Sequence, residues 1–389
     1  MTFTIRPQAA VAARIVLVGT LAFLVLGVPD GGDGVAWPFM RAALHQPLEA
    51  LGLLSAAVTA GAVAMSAVSG RLTRRLGPAV LLVAACALCL VALLGIALSP
   101  AWATTVISFL VYGAGGGILD AVVQAQVVTR HGLRSMGAIH AGYGAGVTAG
   151  PLLMTGIITA GAGWRAGYAC MAVLYAVLAA TFARTWRAWS AGDRAPEHGA
   201  AAGTHAVRRL GVSRSLLLFF LVTGLETAAG LWAFTFLTGA RGLGTAAAGV
   251  AVGAFFAVQT ASRVALAIAG HRVEAATVLL AACVAVLGGA SLMLVLPGAV
   301  SLAGLLLSGS GIGALYPSLM VAASGGLESR RAQSVVGYQV AAANAGATTG
   351  VAGTGLVLAH AGVGTLPATQ LALAAVVVAL LFARPRSVH

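Results

Sequence analysis

The sequence predicts an all-α membrane protein with twelve transmembrane helices in two six-helix parallel pseudo-repeats. Three observations predict this. The 389 residues are 60% hydrophobic and only 8% charged, with a mean hydropathy of +0.98. Soluble domains carry about 25% charged residues, so side chains this apolar need lipid as their solvent. The apolar residues also fall into twelve runs near the length of about 20 residues that crosses a bilayer. Finally, the arginines lie almost entirely in the gaps on one side of those runs.

Span 1 covers 14–40 and follows Arg6 and Arg14. Gly27-Val-Pro-Asp-Gly-Gly-Asp-Gly34 interrupts it and predicts a break toward its outer end. Spans 2 and 3, at 50–70 and 79–98, flank the basic turn Gly70-Arg-Leu-Thr-Arg-Arg-Leu-Gly77. Spans 4 and 5, at 104–128 and 136–160, flank Arg130 and Arg134, and span 6 covers 165–183. The longest hydrophilic stretch follows, 184–214, with six arginines, two acids and two histidines. It reads as a solvated cytoplasmic linker. The remaining spans cover 215–238, 246–270, 275–297, 300–323, 333–360 and 365–383. The domain organisation is therefore a first half at 1–183, a linker at 184–214 and a second half at 215–389.

All 22 basic residues are arginine, against nine acids, for a net charge of +13. With the N-terminus in the cytoplasm, 18 arginines fall inside and three outside: Arg41, Arg165 and Arg241. Arg263 lies within span 8. This asymmetry predicts a multi-pass protein of the cell inner (plasma) membrane with both termini cytoplasmic. It also explains the positive charge without nucleic acid, since no basic stripe is interleaved with aromatics. Cys86 and Cys89 form a CxxC inside an apolar helix with no histidine nearby. Zinc needs four such ligands, so they read as small packing residues. Neither a metal nor a cofactor is expected, and no cleavable secretory signal is evident.

An internal repeat is visible. Gly113-Ala-Gly-Gly-Gly-Ile-Leu-Asp120 in span 4 is similar to Gly309-Ser-Gly-Ile-Gly-Ala-Leu-Tyr316 in span 10. Gly146-Val-Thr-Ala-Gly150 in span 5 is similar to Gly346-Ala-Thr-Thr-Gly350 in span 11. The offsets, 196 and 200 residues, are half the chain. Parallel repeats around a midplane site are an architecture of secondary carriers. The glycines lack the βαβ unit of a dinucleotide site and instead suit close helix approach.

Twelve spans, a parallel repeat and a basic span 2–3 turn resemble the major facilitator superfamily. Within it, the chain is similar to the fucose-permease-type branch of sugar–proton symporters. Four segments carry this: Leu119-Asp-Ala-Val-Val-Gln124, His140-Ala-Gly-Tyr-Gly with Gly150-Pro151, Gly224-Leu-Glu-Thr-Ala-Ala-Gly-Leu-Trp232, and Gly337-Tyr-Gln-Val-Ala-Ala-Ala343. The resemblance implies proton-coupled secondary transport of a small polar, sugar-like solute by alternating access, by a monomer. It also implies a gating role for Gly70, Arg75 and Gly77, which match the family's turn. There are departures. Arg74 holds the position where the family has an aspartate, and His271 stands where the second half expects an acid, so the acid-mediated gate is in doubt.

Acids are costly at membrane depth, about 2.5–3.5 kcal/mol each, and four lie there: Asp30, Asp33, Asp120 and Glu226. At about 1.5 Å per residue, Asp120 lies roughly 15 Å from Arg130 and Glu226 roughly 18 Å from Arg214. Desolvation disfavours a carboxyl's charged form, so both are candidates for proton coupling; the alternative is a structural acid. Asp30 is a candidate solute contact at the break in span 1, and Asp33 an acid at a wet outer mouth. His140 and Gln339 occupy repeat-related positions and suit hydroxyls or amides as partners. Gln124, Trp37, Trp232 and Tyr316 complete the candidate solute-binding set. Trp102 and Trp164 suit the interfacial belt. Arg263 either pairs with Glu226 or snorkels to the cytoplasmic face, and is counted with the gating residues.

No P-loop is present, which excludes ATP as the energy source. Proton-driven efflux of a metabolite or drug is the main alternative to uptake. A membrane enzyme would need a nucleophile–base pair or metal cluster; neither HExxH nor a partnered GxSxG occurs. A non-transporting receptor leaves acids in both halves unexplained.

Overall fold

The computed structural model describes residues 7–190, 211–269, 273–324 and 329–382. The long elements are all helices: α1 (Pro7–Ala43), α2 (Leu51–Leu76), α3 (Pro78–Leu98), α4 (Trp102–Thr159), α5 (Gly163–Arg184), α6 (Trp186–Ser190), α7 (Val212–Gly239), α8 (Thr245–Ala269), α9 (Ala275–Val295), α10 (Leu302–Ser324), α11 (Ser329–Ala361) and α12 (Leu366–Phe382). Among the described residues, eleven segments are long and apolar enough to cross a membrane, two of them in α4. The chain is a multi-pass, all-α membrane protein. Helix α11 is not among the eleven; its 33 residues include Gln339, Asn344, Thr348, Thr349 and Thr354.

Three expectations change. Helix α1 is unbroken through 27–34 despite Pro29 and four glycines. The glycines are used for contact instead: Gly27 abuts the backbone of Tyr143 and Val147, and Gly31 that of Val147. Helical assignment is also continuous from span 4 into span 5. The two legs of α4 nonetheless double back, because Gly19 of α1 meets Val123 and Val127 from one leg and Ile139 from the other. Finally, the stretch expected as linker from Arg184 begins with α6. There Trp189 is buried, packs edge-on against Phe182 and donates to Thr185 Oγ1 at 3.2 Å. The rest of the linker up to 210 lies outside the described residues. So do Arg6, His271, Arg272, Arg384 and Arg386.

The chain forms two compact units, Met1–Gln46 with Leu53–His198, and Pro47–Gly52 with Gly199–His389. In the first, α1 packs on both legs of α4, and α3 packs on α4 and α5. In the second, α7 packs on α11, α10 on α9 and α8, and α12 on α9. The repeated glycines make matching contacts. Gly113 and Gly117 meet Val58 and Ala62 of α2, while Gly309 and Gly313 meet Phe255 and Gln259 of α8. Gly115 meets Ala85 of α3, and Gly311 meets Ala282 of α9. Gly146 meets Leu24 of α1, and Gly346 meets Phe220 of α7. A side chain at any of these would strike backbone or core atoms, so glycine is required for the helices to approach.

Between α2 and α3, Gly77 has φ +81° and Pro78 begins the next helix. Glycine tolerates that left-handed conformation, and proline suits the first helical position. Two arginines expected on the outer side serve as helix caps. Arg165 Nη2 donates to Ser99 O at the end of α3 at 2.8 Å and stacks on Trp164, 4.2 Å from the ring centroid. Arg241 donates to Met293 O in the last turn of α9 and lies over Phe236. Cations at helix C-termini are favoured by unpaired carbonyls and the helix dipole.

Candidate functional site

In the first unit, a polar cluster forms around α1. Asp30 Oδ2 accepts a hydrogen bond from Tyr143 of α4 at 2.9 Å, and Oδ1 lies 3.5 Å from the Tyr112 hydroxyl. Tyr112 also reaches Leu26 O at 3.2 Å and the Tyr175 hydroxyl of α5 at 3.4 Å. One turn along α1, Asp33 Oδ1 accepts from Tyr168 of α5 at 2.7 Å. Asp33 is therefore engaged by α5. Four of the six tyrosines in the chain surround these two acids.

Asp120 lies in the first leg of α4 and is half-buried. Gln124, one turn further, donates from Nε2 to Asp120 Oδ1 at 2.8 Å, as the four-residue helical spacing allows. Asp30 and His140 both lie within electrostatic reach of Asp120. His140 is exposed and meets Phe23 edge-on, with ring centroids 5.6 Å apart. Asp30, Asp120, Gln124 and His140 thus come together.

In the second unit, the acid has a cation. Glu226 of α7 forms an ion pair with Arg263 of α8 and accepts from Gln259 Nε2 at 2.8 Å. The pairing holds Arg263 to α7. Gln259 is buried, and its carbonyl lies against Gly313, so the close α8–α10 approach places its side chain. Tyr316 stacks edge-on with Phe219 at 5.2 Å and is within electrostatic reach of Glu226 and Arg263.

Other candidates stand apart from these clusters. Trp232 is fully buried, donates to Val351 O at 3.1 Å and fills the space left by Gly355. Trp37 is fully buried against Trp102. Gln339 is buried and donates to Ser215 Oγ at 3.2 Å. Ser215 is eleven residues from Glu226 on α7, roughly 16 Å. His140 and Gln339, expected within one residue of corresponding positions, therefore have different surroundings. Trp164, expected at the interface, is buried against Tyr168. Gly70 and Arg75 are exposed at the end of α2.

The family model of the Major Facilitator Superfamily matches residues 19–351. The chain belongs to the Major Facilitator Superfamily. It is a transporter by family, not an enzyme. Among solved structures, the nucleoside transporter NupG matches with a TM-score of 0.72 at 15% identity, over 96% of this chain and 98% of that one. An aspartate-to-alanine mutant of NupG matches over the same shares at 15% identity, with a TM-score of 0.73. At this identity the likeness shows the fold alone. No curated protein matches by sequence.

Sequence inspection misses the tyrosines and Gln259. A signal exists for two of them: Tyr168 and Tyr175 are seven apart, which places them on one helix face. Tyr143 sits inside the His140-Ala-Gly-Tyr-Gly segment itself.

Proposed function

We propose that this superfamily member is a proton-coupled symporter of the fucose-permease-type branch. It carries a small polar, sugar-like solute by alternating access. The observation that carries this reading is Asp120, a carboxyl at membrane depth whose hydrogen bond comes from the neutral amide of Gln124. Such an acid can gain or lose a proton without breaking an ion pair. Asp120 is the main coupling acid. Glu226 is the second, and its protonation frees Arg263, which assigns that arginine a gating role. Asp30, Gln124, His140 and Tyr316 offer donors and acceptors suited to hydroxyls. Nucleosides also carry a sugar, so the likeness to NupG places them beside hexoses as candidate solutes.

The matching glycine contacts support twelve spans in two repeated halves, 1–183 and 215–389, joined through 184–214. The arginine asymmetry supports cytoplasmic termini and the plasma membrane as location. The test is uptake of a panel of labelled hexoses and nucleosides into proteoliposomes. An inward proton gradient drives accumulation of a panel member, and collapsing it leaves only equilibration. Accumulation indifferent to the gradient refutes proton coupling. Efflux is a second reading, favoured by Arg74 in place of the family's acid. Emptying of preloaded vesicles against a solute gradient, under the same proton gradient, selects it.

A further inference from the structure

We propose that Asp33 is a second proton-handling residue, forming with Asp30 a carboxyl pair that carries one negative charge and one proton between its two members. The two acids are three residues apart on α1, a spacing that puts side chains on neighbouring positions of one helix face. They interact electrostatically. The titratable groups facing them are tyrosines, a thiol and an acid: Tyr112, Tyr143 and Asp120 from α4, Tyr168 and Tyr175 from α5, and Cys89 from α3. Neither acid has a cationic partner among the described residues. Arg165, on the same helix as Tyr168, is engaged with Ser99 O and the Trp164 ring. Two like charges one helical turn apart, with no cation, disfavour double ionisation, and their titration belongs to the pair.

The hydrogen-bond inventory points the same way. Tyr112 has one hydroxyl proton and three oxygens around it: Leu26 O at 3.2 Å, Tyr175 Oη at 3.4 Å and Asp30 Oδ1 at 3.5 Å. A hydroxyl donates once and accepts through two lone pairs. When Tyr112 donates to the Leu26 carbonyl, which can only accept, Asp30 Oδ1 faces a lone pair. The geometry then has room for a proton on Asp30. Tyr143 then supplies Asp30, at 2.9 Å, and Tyr168 supplies Asp33, at 2.7 Å, with one donor each, so either member can hold the charge.

The role of this proton deepens the proton-coupled reading and rests on it. A proton from water joins the charged carboxylate of the pair, and one leaves Asp30 for Asp120, its electrostatic neighbour. The pair itself is tested without any solute. Infrared spectra of the purified full-length protein at neutral pH in D2O report the C=O stretch of protonated carboxyls. The wild type shows such a band, and Asp33→Asn loses it, because the lone Asp30 then ionises. Asp30→Asn loses it as well. Loss in both variants is the signature of a shared proton, since an acid protonated by itself keeps its band when the other is replaced. The band at issue is the one that Asp120→Asn leaves in place; its survival in either pair variant, or its absence from the wild type, overturns the proposal. If an Asn variant does not fold, the Ser variant at the same position takes its place, because loss at both positions is what supports the pair. Failure of proton-driven uptake with the band behaviour intact sinks the transport reading and leaves the pair standing.

Discussion

The acids of the two units differ in what neutralises them. In the first unit, Asp30 and Asp33 are met by tyrosine hydroxyls and Asp120 by the amide of Gln124. In the second, Glu226 is met by the guanidinium of Arg263 as well as by Gln259. Helix packing, by contrast, is nearly the same, with glycines at matching positions touching matching helices. The glycine contacts match and the electrostatics do not. Neutral donors leave an acid free to exchange protons. A salt bridge ties an acid's charge to the position of another helix, so that a proton arriving there changes how α7 and α8 are held.

The shared part of the comparison is broken most severely at the glycines. Gly146→Val and Gly346→Val each drive a side chain into the backbone of a neighbouring helix. Overpacking costs about 1–3 kcal/mol where side chains can yield, and backbone yields less. Loss of monodisperse protein in gel filtration is expected from both. Gly156→Val and Gly353→Val, which meet nothing within 4 Å, serve as tolerated controls. Equal yields from all four would undo the packing equivalence.

Asp120→Asn tests the neutral-donor side. It is expected to fold, since an amide can replace the carboxyl beside Gln124, and to lose gradient-driven accumulation in proteoliposomes. Uphill transport that survives removes Asp120 from coupling. On the other side, Arg263→Ala leaves Glu226 without its cation. The pair is partly exposed, at 34% and 20%, so its loss lies between the effects of surface and buried pairs, at about 2 kcal/mol. Thermal unfolding of purified protein measures it. Adding Glu226→Gln to Arg263→Ala should recover most of that loss. A smaller effect is expected from Tyr143→Phe, which removes one hydrogen bond to Asp30, about 1 kcal/mol. Tyr316→Phe should cost less than half as much in the same measurement.

Much of the fold is legible in the sequence because lipid imposes long apolar runs and sorts arginines to one side. Eleven of the twelve span positions follow from that. The break predicted at 27–34 does not occur, because in a membrane helix glycine serves contact with a neighbour more than flexibility. Gly27 and Gly31 look like loop residues until Tyr143 and Val147 lie against them. The Glu226–Arg263 pair was one of two alternatives, separable only by knowing which faces of α7 and α8 meet. The convergence of the tyrosines is hidden in the sequence for a related reason. Tyr112, Tyr143, Tyr168 and Tyr175 belong to two helices and converge only when both pack on α1.

The arginine caps on α3 and α9 have a consequence for biogenesis. A ribosome releases the chain from its N-terminus, so a helix end exists as an acceptor only once it has been made. Arg165 emerges after Ser99, and its carbonyl acceptor is already in place when the charge must be settled on the outer side. Arg241 emerges 52 residues before Met293 and has no acceptor until α9 has followed it. In the proposed topology the first unit delivers its external charge to a finished socket. The second unit must carry its external cation, faced only by the Phe236 ring of α7, while two more helices are synthesised, which makes the stretch from α7 to α9 the vulnerable interval of assembly.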